Sequence, residues 1–252
     1  MADSSVERLP TSPNALEPFL RQATALVRLG DEETTLLRSL SSSIEGFAPG
    51  DCIRPDPKMR CWIVASGWAY YMRAAAEGRR QIFSLILPGD TIGVVDGPFE
   101  RDETEVRALT SIRLVDATRL RWTIAHDAPF ANVRRACDLI SSLEGVRLLD
   151  QVFRLGQLSA EERMAHLLLE LNDRLEKVDL AHQGTFDFPP SQAQLGDILG
   201  LSLVHINRVM HALREERLMI QTQRRVVTLN LEGLSRRAGV GSEAVKSLRE
   251  AR

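Results

Sequence analysis

The sequence predicts an α+β fold in which a domain of short β-strands is followed by a long helix and by a mainly helical C-terminal domain. Between residues 47 and 116, short apolar runs alternate with glycine, proline and aspartate turns, a pattern typical of a jelly roll or β-roll. Residues 130–155 contain no proline and carry apolar residues at helical spacing. Residues 195–219 predict two short helices that meet at Gly200.

The first predicted domain spans residues 1–127 and combines N-terminal helices with the strands. Apolar residues at helical spacing predict two helices between residues 15 and 45. The strand-like runs that follow include WIVASGWAYYMR, QIFSLIL and EVRALTSIRLVDA, with turn sequences such as AAEGR and PGD between them. The barrel is therefore predicted to end near Asp116.

The long helix, predicted within residues 128–156, carries two apolar stripes. One stripe would be enough for a helix that lies on its own domain. A second stripe indicates a second surface to bury, and another copy of the same helix is the simplest partner. An alternative, in which both stripes are buried within one subunit, stays open. The residues predicted for dimerisation are Phe130, Val133, Cys137, Ile140, Leu143, Val146 and Leu149.

The C-terminal domain is predicted to span residues 157–252, including an extension beyond its last strand. Ser159 is followed three residues later by Glu162, which is the capping-box pattern at the start of a helix. Apolar residues at helical spacing continue from there to Leu171. A domain boundary is therefore expected near Gly156.

Residues 195–219 have the pattern of a helix-turn-helix. Gly200 can adopt the left-handed conformation that a tight turn needs, and Gly196 leaves room for the second helix to pass close to the first. Ser202 is placed to cap the second helix. The N-terminal half of that helix enters the DNA major groove in helix-turn-helix proteins. Its outward edge is formed by Leu203, Val204, His205, Asn207, Arg208 and His211.

A wing of two short strands is predicted at residues 218–230. The net charge of the whole chain is −2, yet from Ser191 onward ten lysines and arginines outnumber six acidic residues. Positive charge concentrated on one motif is what phosphate neutralisation requires. A module that docks only on another protein is the alternative. The predicted DNA-contacting residues are Gln192, Ser202, Leu203, Val204, His205, Asn207, Arg208, His211, Gln223, Arg224 and Arg225.

The composition argues against several other classes of protein. No histidine precedes His126, so a cupin-type metal site in the barrel is not expected, and no nucleophile motif indicates a hydrolase. Three scattered cysteines do not form a disulfide framework, although Cys52 and Cys61 could approach each other across strands. No cofactor and no catalytic residue is predicted. The polar N-terminus and the lack of a long apolar run favour the cytoplasm over secretion or a membrane.

Together these motifs resemble the Crp/Fnr superfamily of transcription regulators. The resemblance covers roughly residues 26–231 and is carried by GRRQIFSLILPGDTIG, VRALTSIRLVDA, LSAEERMAHLLLEL and FPPSQAQLGDILGLSLVHINRVMHALREERLM. It implies a cyclic-nucleotide-binding-type β-roll as sensor domain, a long dimerisation helix and a C-terminal winged helix-turn-helix. It also implies a homodimer on a pseudo-palindromic site in double-stranded DNA, with RNA polymerase as a further partner.

The resemblance extends to single positions of the second helix. Arg208 matches the arginine that donates to guanine in the family, while Ser202 and His205 match positions that meet phosphates or bases. Val204 departs from the pattern, because the family commonly carries there a glutamate that accepts from cytosine N4. Valine can at most contact a thymine methyl group, so we expect His205 and Asn207 to share in the reading.

Two further departures from the family pattern are visible. Arg217 stands where a glycine usually ends the second helix, which predicts a strained left-handed residue. In the barrel, Val94 replaces the glutamate that binds the ribose of cyclic AMP, and Asp102 and Glu103 replace the Arg-Ser pair that binds its phosphate. Arg101 lies beside them but cannot restore the ribose acceptor. The sequence therefore predicts no binding of cyclic AMP and leaves the effector unknown.

Overall fold

The chain forms two compact units, seen in a computed structural model. The first lies within residues 1–79 and 83–148, and the second within residues 80–82 and 149–252. The structure describes residues 7–9, 14–54, 60–75, 78–95, 103–126, 130–222 and 225–239.

The first unit is built from two antiparallel sheets and the helices that flank one of them. The five-stranded sheet has the order β1-β2-β9-β4-β7 and the four-stranded sheet the order β3-β8-β5-β6. A 3₁₀ turn at Leu40–Ser42 leads into β2. The elements are β1 (Glu7–Leu9), α1 (Glu17–Leu26), α2 (Asp31–Ser39), β2 (Ile44–Phe47), β3 (Cys52–Ile53), β4 (Trp62–Ser66), β5 (Ala69–Ala74), β6 (Arg80–Ile86), β7 (Thr91–Ile92), β8 (Glu105–Ala108), β9 (Ile112–Asp116), α3 (Thr118–His126) and α4 (Ala131–Gln157).

This arrangement confirms the predicted fold of the first domain. The last strand, β9, ends at Asp116, where the barrel was expected to end. One core, which includes Trp62, Leu114 and Val106, lies between the two sheets. A second core joins the other side of the five-stranded sheet to helices α1 to α4. In β4, Trp62 and Val64 point into the core between the sheets and Ile63 points into the helical core, so successive side chains are all buried. Apolar runs separated by turn residues, as predicted here, are typical of strands buried on both faces.

None of the three cysteines, which all lie in the described part of the chain, forms a disulfide. Cys52 lies in β3 of the four-stranded sheet, whereas Cys61 precedes β4 of the other sheet, so the cross-strand pair is not formed. Cys61 shares the helical core with Cys137 instead. Burial raises the pKa of the Cys137 thiol to about 12, and the negative charge of Asp138 adds to the effect. The Cys137 thiol is therefore protonated and behaves as a small apolar group.

Helix α4 confirms the predicted long helix but corrects part of its assignment. Val133, Cys137 and Ile140 were expected at a dimer interface, yet all three are fully buried in the core of their own domain. Phe130, which precedes the helix, is half-buried and packs against the same core. The first stripe therefore belongs to the intramolecular core, because α4 covers one side of the five-stranded sheet.

The second stripe of α4 is exposed in the single chain. Leu149 is the most exposed of these residues, with 69% of its surface accessible. The two units separate within α4, between residues 148 and 149, whereas the helix itself continues through Gly156. The exposed apolar side chains of the stripe are Leu143, Val146, Leu149, Val152 and Phe153.

The second unit contains the predicted helix-turn-helix and wing. A three-stranded antiparallel sheet with the order β10-β12-β11 packs beside the helices. The capping box at Ser159 and Glu162 is confirmed, since each residue's side chain binds the other's backbone N–H. The elements that follow α4 are α5 (Ala160–Lys177), β10 (Thr185–Asp187), α6 (Gln192–Leu199), α7 (Leu203–Glu215), β11 (Met219–Gln221), β12 (Val226–Leu229) and α8 (Leu231–Arg237).

Among the described residues, none of the helices is both long enough and apolar enough to span a membrane.

The start of α4 is capped by a buried carboxylate that the sequence did not indicate. Glu33 of α2 accepts hydrogen bonds from the backbone N–H groups of Asn132 (2.9 Å) and Val133 (3.1 Å), and from that of Gly30 (2.8 Å). The first N–H groups of a helix have no partner within the helix, so this carboxylate satisfies two of them. Burial alone would raise the pKa of Glu33, but these hydrogen bonds lower it further than burial raises it.

We predict that Glu33→Gln lowers the free energy of unfolding by about 2 kcal/mol near neutral pH, since hydrogen bonds to a charged group are lost. The folded-state pKa is depressed, so this stabilisation is present above the unfolded pKa of about 4.3 and is lost as the pH falls through the folded-state value. Urea denaturation at several pH values measures the difference. Glu32→Gln, at an exposed position of the same helix, is the matched control, and an equal effect of both variants would contradict the assignment.

Candidate nucleic-acid interface

The turn between α6 and α7 depends on two glycines. Gly200 has φ 64° and ψ 36°, the left-handed conformation that the sequence predicted for it. A Cβ atom on Gly196 would lie 2.7 Å from the carbonyl oxygen of Leu201, too close for any side chain. Ser202 then caps α7 by accepting from the N–H of His205. The orientation of α7 relative to α6 follows from these three positions.

The C-terminal end of α6 is held by long polar side chains from neighbouring helices. The guanidinium of Arg163 donates to the carbonyl oxygen of Leu199 (3.0 Å), and the amide of Gln151 donates to that of Ile198 (2.5 Å). Carbonyl groups at the end of a helix lack partners within the helix and are costly to bury without them. Residues of α4 and α5 thus fix the place where the helix-turn-helix bends.

A buried cluster lies behind this support. Arg154, only 2% exposed, donates to the side chain of Gln151 and to the Glu170 carboxylate (2.5 Å). The same guanidinium lies 3.0 Å from Nδ1 of His166. Burial lowers the pKa of His166, and the positive charge of Arg154 lowers it further. The imidazole is therefore neutral near pH 7 and accommodates the arginine without charge repulsion.

Helix α7 separates its residues into a buried and an exposed side. Ile206, Val209, Met210 and Leu213 are buried against the rest of the unit. The residues of this helix that were predicted to contact DNA all lie on the exposed side, and Val204 has 77% of its surface accessible. These exposed residues are Ser202, Leu203, Val204, His205, Asn207, Arg208 and His211.

The exposed side of α7 offers both fixed and free polar groups. Oγ of Ser202 lies 2.9 Å from Nδ1 of His205, which orients the imidazole. His211 lies 3.3 Å from the carboxylate of Glu215. Within the described part of the chain, the guanidinium of Arg208 has no hydrogen-bond or ion-pair partner. An unpaired and exposed arginine at this position is available to bind an acceptor outside the protein.

The wing is formed by the hairpin of β11 and β12. Arg225, directly before β12, is exposed, with φ 63° and a 3.4 Å hydrogen bond to the carbonyl oxygen of Pro189. Gln223 and Arg224, the other two wing residues predicted to bind DNA, lie outside the described residues. Gln192 is exposed at the first position of α6. Ile220 of β11 is also exposed, a feature that the sequence reasoning did not use.

Part of the positive charge of this region is neutralised within the protein. Arg236 pairs with Glu232 (2.5 Å), and Arg237 pairs with Glu161 and Glu216. Arg208 and Arg214, in contrast, are exposed on α7 without such pairs among the described residues. Arg208 and Arg214 thus keep positive charges on α7 that no acidic side chain of the described residues neutralises.

Comparison with known proteins relates this geometry to transcription regulators. Residues 162–237 match the Crp-like helix-turn-helix domain family. The nitrogen fixation regulation protein FixK of Azorhizobium caulinodans is 28% identical over 178 residues, which are 69% of this chain and 70% of that protein. The transcriptional activator protein FnrL of Cereibacter sphaeroides is 26% identical over 186 residues, or 71% of this chain and 73% of that protein.

The fold is shared with a solved structure as well. FixK2 from Bradyrhizobium japonicum is similar with a TM-score of 0.64 and 27% identity, covering 77% of this chain and 96% of that chain. The similarity therefore extends over both units and not only over the helix-turn-helix.

The backbone of Arg217, just after α7, is left-handed with φ 54°, as the sequence predicted. We predict that Arg217→Gly raises the free energy of unfolding by about 0.5–1 kcal/mol, because glycine adopts this conformation without strain. Arg214→Gly removes the same charge within the helix and should lower that free energy by about 1 kcal/mol. Thermal or urea denaturation measures both, and changes of the same sign would contradict the strain.

Proposed function

Since the chain belongs to the Crp/Fnr superfamily of DNA-binding transcription regulators, we propose that it binds a pseudo-palindromic DNA site as a homodimer. The observation that carries the proposal is the free guanidinium of Arg208 on the exposed side of α7. A guanidinium presents two parallel donors that match O6 and N7 of guanine in the major groove. Arg208 thus reads a guanine in each half-site.

The remaining exposed groups divide into base and backbone contacts. His205 and Asn207 flank Arg208 on the same helix and contribute to the base reading, Asn207 as a partner for adenine. Ser202 and Gln192, at the starts of their helices, lie where backbone phosphates approach helix N-termini. Arg225, together with Arg224, lets the wing bind the phosphate backbone.

The dimer is proposed to form along the exposed stripe of α4. Leu143, Val146, Leu149 and Phe153 recur at spacings of three and four, so they follow one line along the helix. Exposed apolar residues in such a line mark an interaction surface, and a second copy offers the same line in return. Two helix-turn-helix motifs would then meet successive major grooves, about 34–36 Å apart.

We also propose that cyclic AMP does not control this regulator. Val94, at the position of the ribose acceptor, is buried in the helical core and offers no oxygen. Glu103 carries a negative charge near the phosphate position and lies 3.4 Å from Arg73. Asp102 and Arg101 lie outside the described residues. A carboxylate beside the cyclic phosphate would repel it.

We further propose where the protein acts and what it binds besides DNA. A regulator of this kind acts in the cytoplasm, is not an enzyme, and needs RNA polymerase as a second partner. The alternative, a module that docks only on proteins, would not need the unpaired guanidinium of Arg208 beside Asn207 on the exposed side of α7. Enrichment of a consensus sequence from random duplexes would distinguish the two.

The first test distinguishes a residue that recognises a base from one that binds the DNA backbone. Arg208→Ala should lower the discrimination at one base pair per half-site by about fivefold or more, because a bidentate pair contributes about 1–3 kcal/mol. Arg225→Ala should weaken the binding to all sequences and reduce the salt dependence by about one phosphate contact per half-site. Binding titrations on the selected site and its single-base variants measure both. An unchanged site preference in Arg208→Ala would show that another residue reads the guanine.

The second test concerns the dimer. Leu149→Glu should convert the protein to a monomer, because it places a charge in the middle of the proposed apolar interface. Trp122→Glu is the matched control, since this α3 residue is similarly exposed at 62%. Sedimentation velocity measures the oligomeric state. A monomeric wild type, or a Leu149→Glu dimer as stable as the control, would contradict the proposed interface.

A further inference from the structure

An apolar side chain lies on the exposed side of α7, among the residues Ser202 to His211 that form the proposed reading surface for DNA bases. Val204 has 77% of its surface accessible, the largest fraction among the exposed large apolar residues that the structure describes. The core of the unit is closed by Ile206, Val209 and Leu213 without it. Its presence is therefore not explained by the stability of the fold.

Val204 lies where a base edge would be met. It is the second residue of α7, and Asn207, Arg208 and His211 follow it at three, four and seven residues, so all four share one side of the helix. The N-terminal residues of the second helix are the ones that contact base edges in helix-turn-helix proteins. Val204 and Arg208 are thus neighbours on the surface that would enter the groove.

The chemistry of the major groove restricts what a valine can recognise there. Guanine, adenine and cytosine present hydrogen-bonding groups that valine cannot satisfy, whereas thymine also presents a C5-methyl group. A β-branched side chain in a helix has one strongly preferred rotamer, so its two methyl groups are held in a fixed position. 5-Methylcytosine carries the same methyl group at the same place in the groove.

We infer that Val204 reads the C5-methyl group of a pyrimidine in each half-site, next to the guanine bound by Arg208. The inference rests on the proposed DNA-binding function and specifies its ligand further. Thymine is preferred over unmethylated cytosine at this position, and methylation of cytosine at C5 restores binding. The methyl group is the recognised feature, whichever base carries it.

Replacing thymine with deoxyuridine removes only this methyl group and leaves base pairing unchanged. In the site selected by the full-length protein, each thymine is replaced in turn, and each cytosine is replaced with 5-methylcytosine. We expect one thymine per half-site at which the change to deoxyuridine weakens binding about fourfold, the factor for burying one carbon-sized apolar group. At that position, 5-methylcytosine should bind about fourfold more tightly than cytosine.

Two variants of Val204 test whether this residue recognises the C5-methyl group. Val204→Ala should bind thymine and deoxyuridine equally at that position, and it should fold because alanine favours an exposed helical position. Val204→Glu should reverse the preference to cytosine, whose N4 group can donate to the carboxylate. An acidic residue is also compatible with the first turn of a helix. Leu180→Ala, at an exposed apolar residue outside the reading surface, should keep the wild-type ratio.

The outcomes separate the inference from the proposed function. If the protein selects a site but no thymine responds to deoxyuridine, the inference is wrong and the proposed function stands. If the response persists in Val204→Ala, another residue, such as the adjacent Leu203, reads the methyl group and the inference is wrong. If no sequence is selected at all, the proposed function fails, and the inference fails with it.

Discussion

The presentation of α7 depends on how the last carbonyl groups of α6 are satisfied. A helix that ends inside a protein leaves carbonyl oxygens that must find donors elsewhere. Here the donors include the side chains of Gln151 and Arg163, which come from two different helices, and that of Gln81, which comes from β6. Because these donors satisfy the last carbonyl oxygens, the helix can end at Leu199 and the chain can turn at Gly200. The hydrogen bonds that fix the end of α6 therefore also set the direction of α7, although they do not involve the exposed side of α7.

Helix α4 combines tasks that would otherwise require separate elements. Its first half closes the core between the five-stranded sheet and the helices with Val133, Cys137 and Ile140, and Glu33 caps its start. Toward its other end, Gln151 and Arg154 bury polar groups within the second unit, while Leu149 and Phe153 remain exposed. A helix with apolar and polar groups on several sides has no simple amphipathic pattern.

This mixture explains which features could be predicted from the sequence. Gly200, Ser202 and the Ser159 capping box were predictable because each follows from chemistry within a few residues of chain. The left-handed conformation of Arg217 was predicted from the family resemblance, since a glycine usually stands at that position. The assignment of Val133, Cys137 and Ile140 to a dimer was wrong because helical spacing identifies apolar positions and not what covers them.

Contacts between distant parts of the chain left no local signal. Glu33 binds residues a hundred positions away, and Arg154 joins Glu170 across the start of a new helix. Neither carboxylate differs in its sequence surroundings from an ordinary surface residue. The exposed residues of α7 could be predicted because the apolar residues mark the buried side of the helix, and the opposite side must then be exposed. Their individual ligands depend on a partner molecule.

The separation of α7 into a buried wedge and an open face has an evolutionary consequence. Substitutions at positions such as Val204 and Asn207 change no packing contact within the unit, so they carry little penalty in foldability. After a gene duplication, two copies can therefore diverge in the promoters they recognise while both remain correctly folded. Regulatory networks can be rewired through this face one residue at a time.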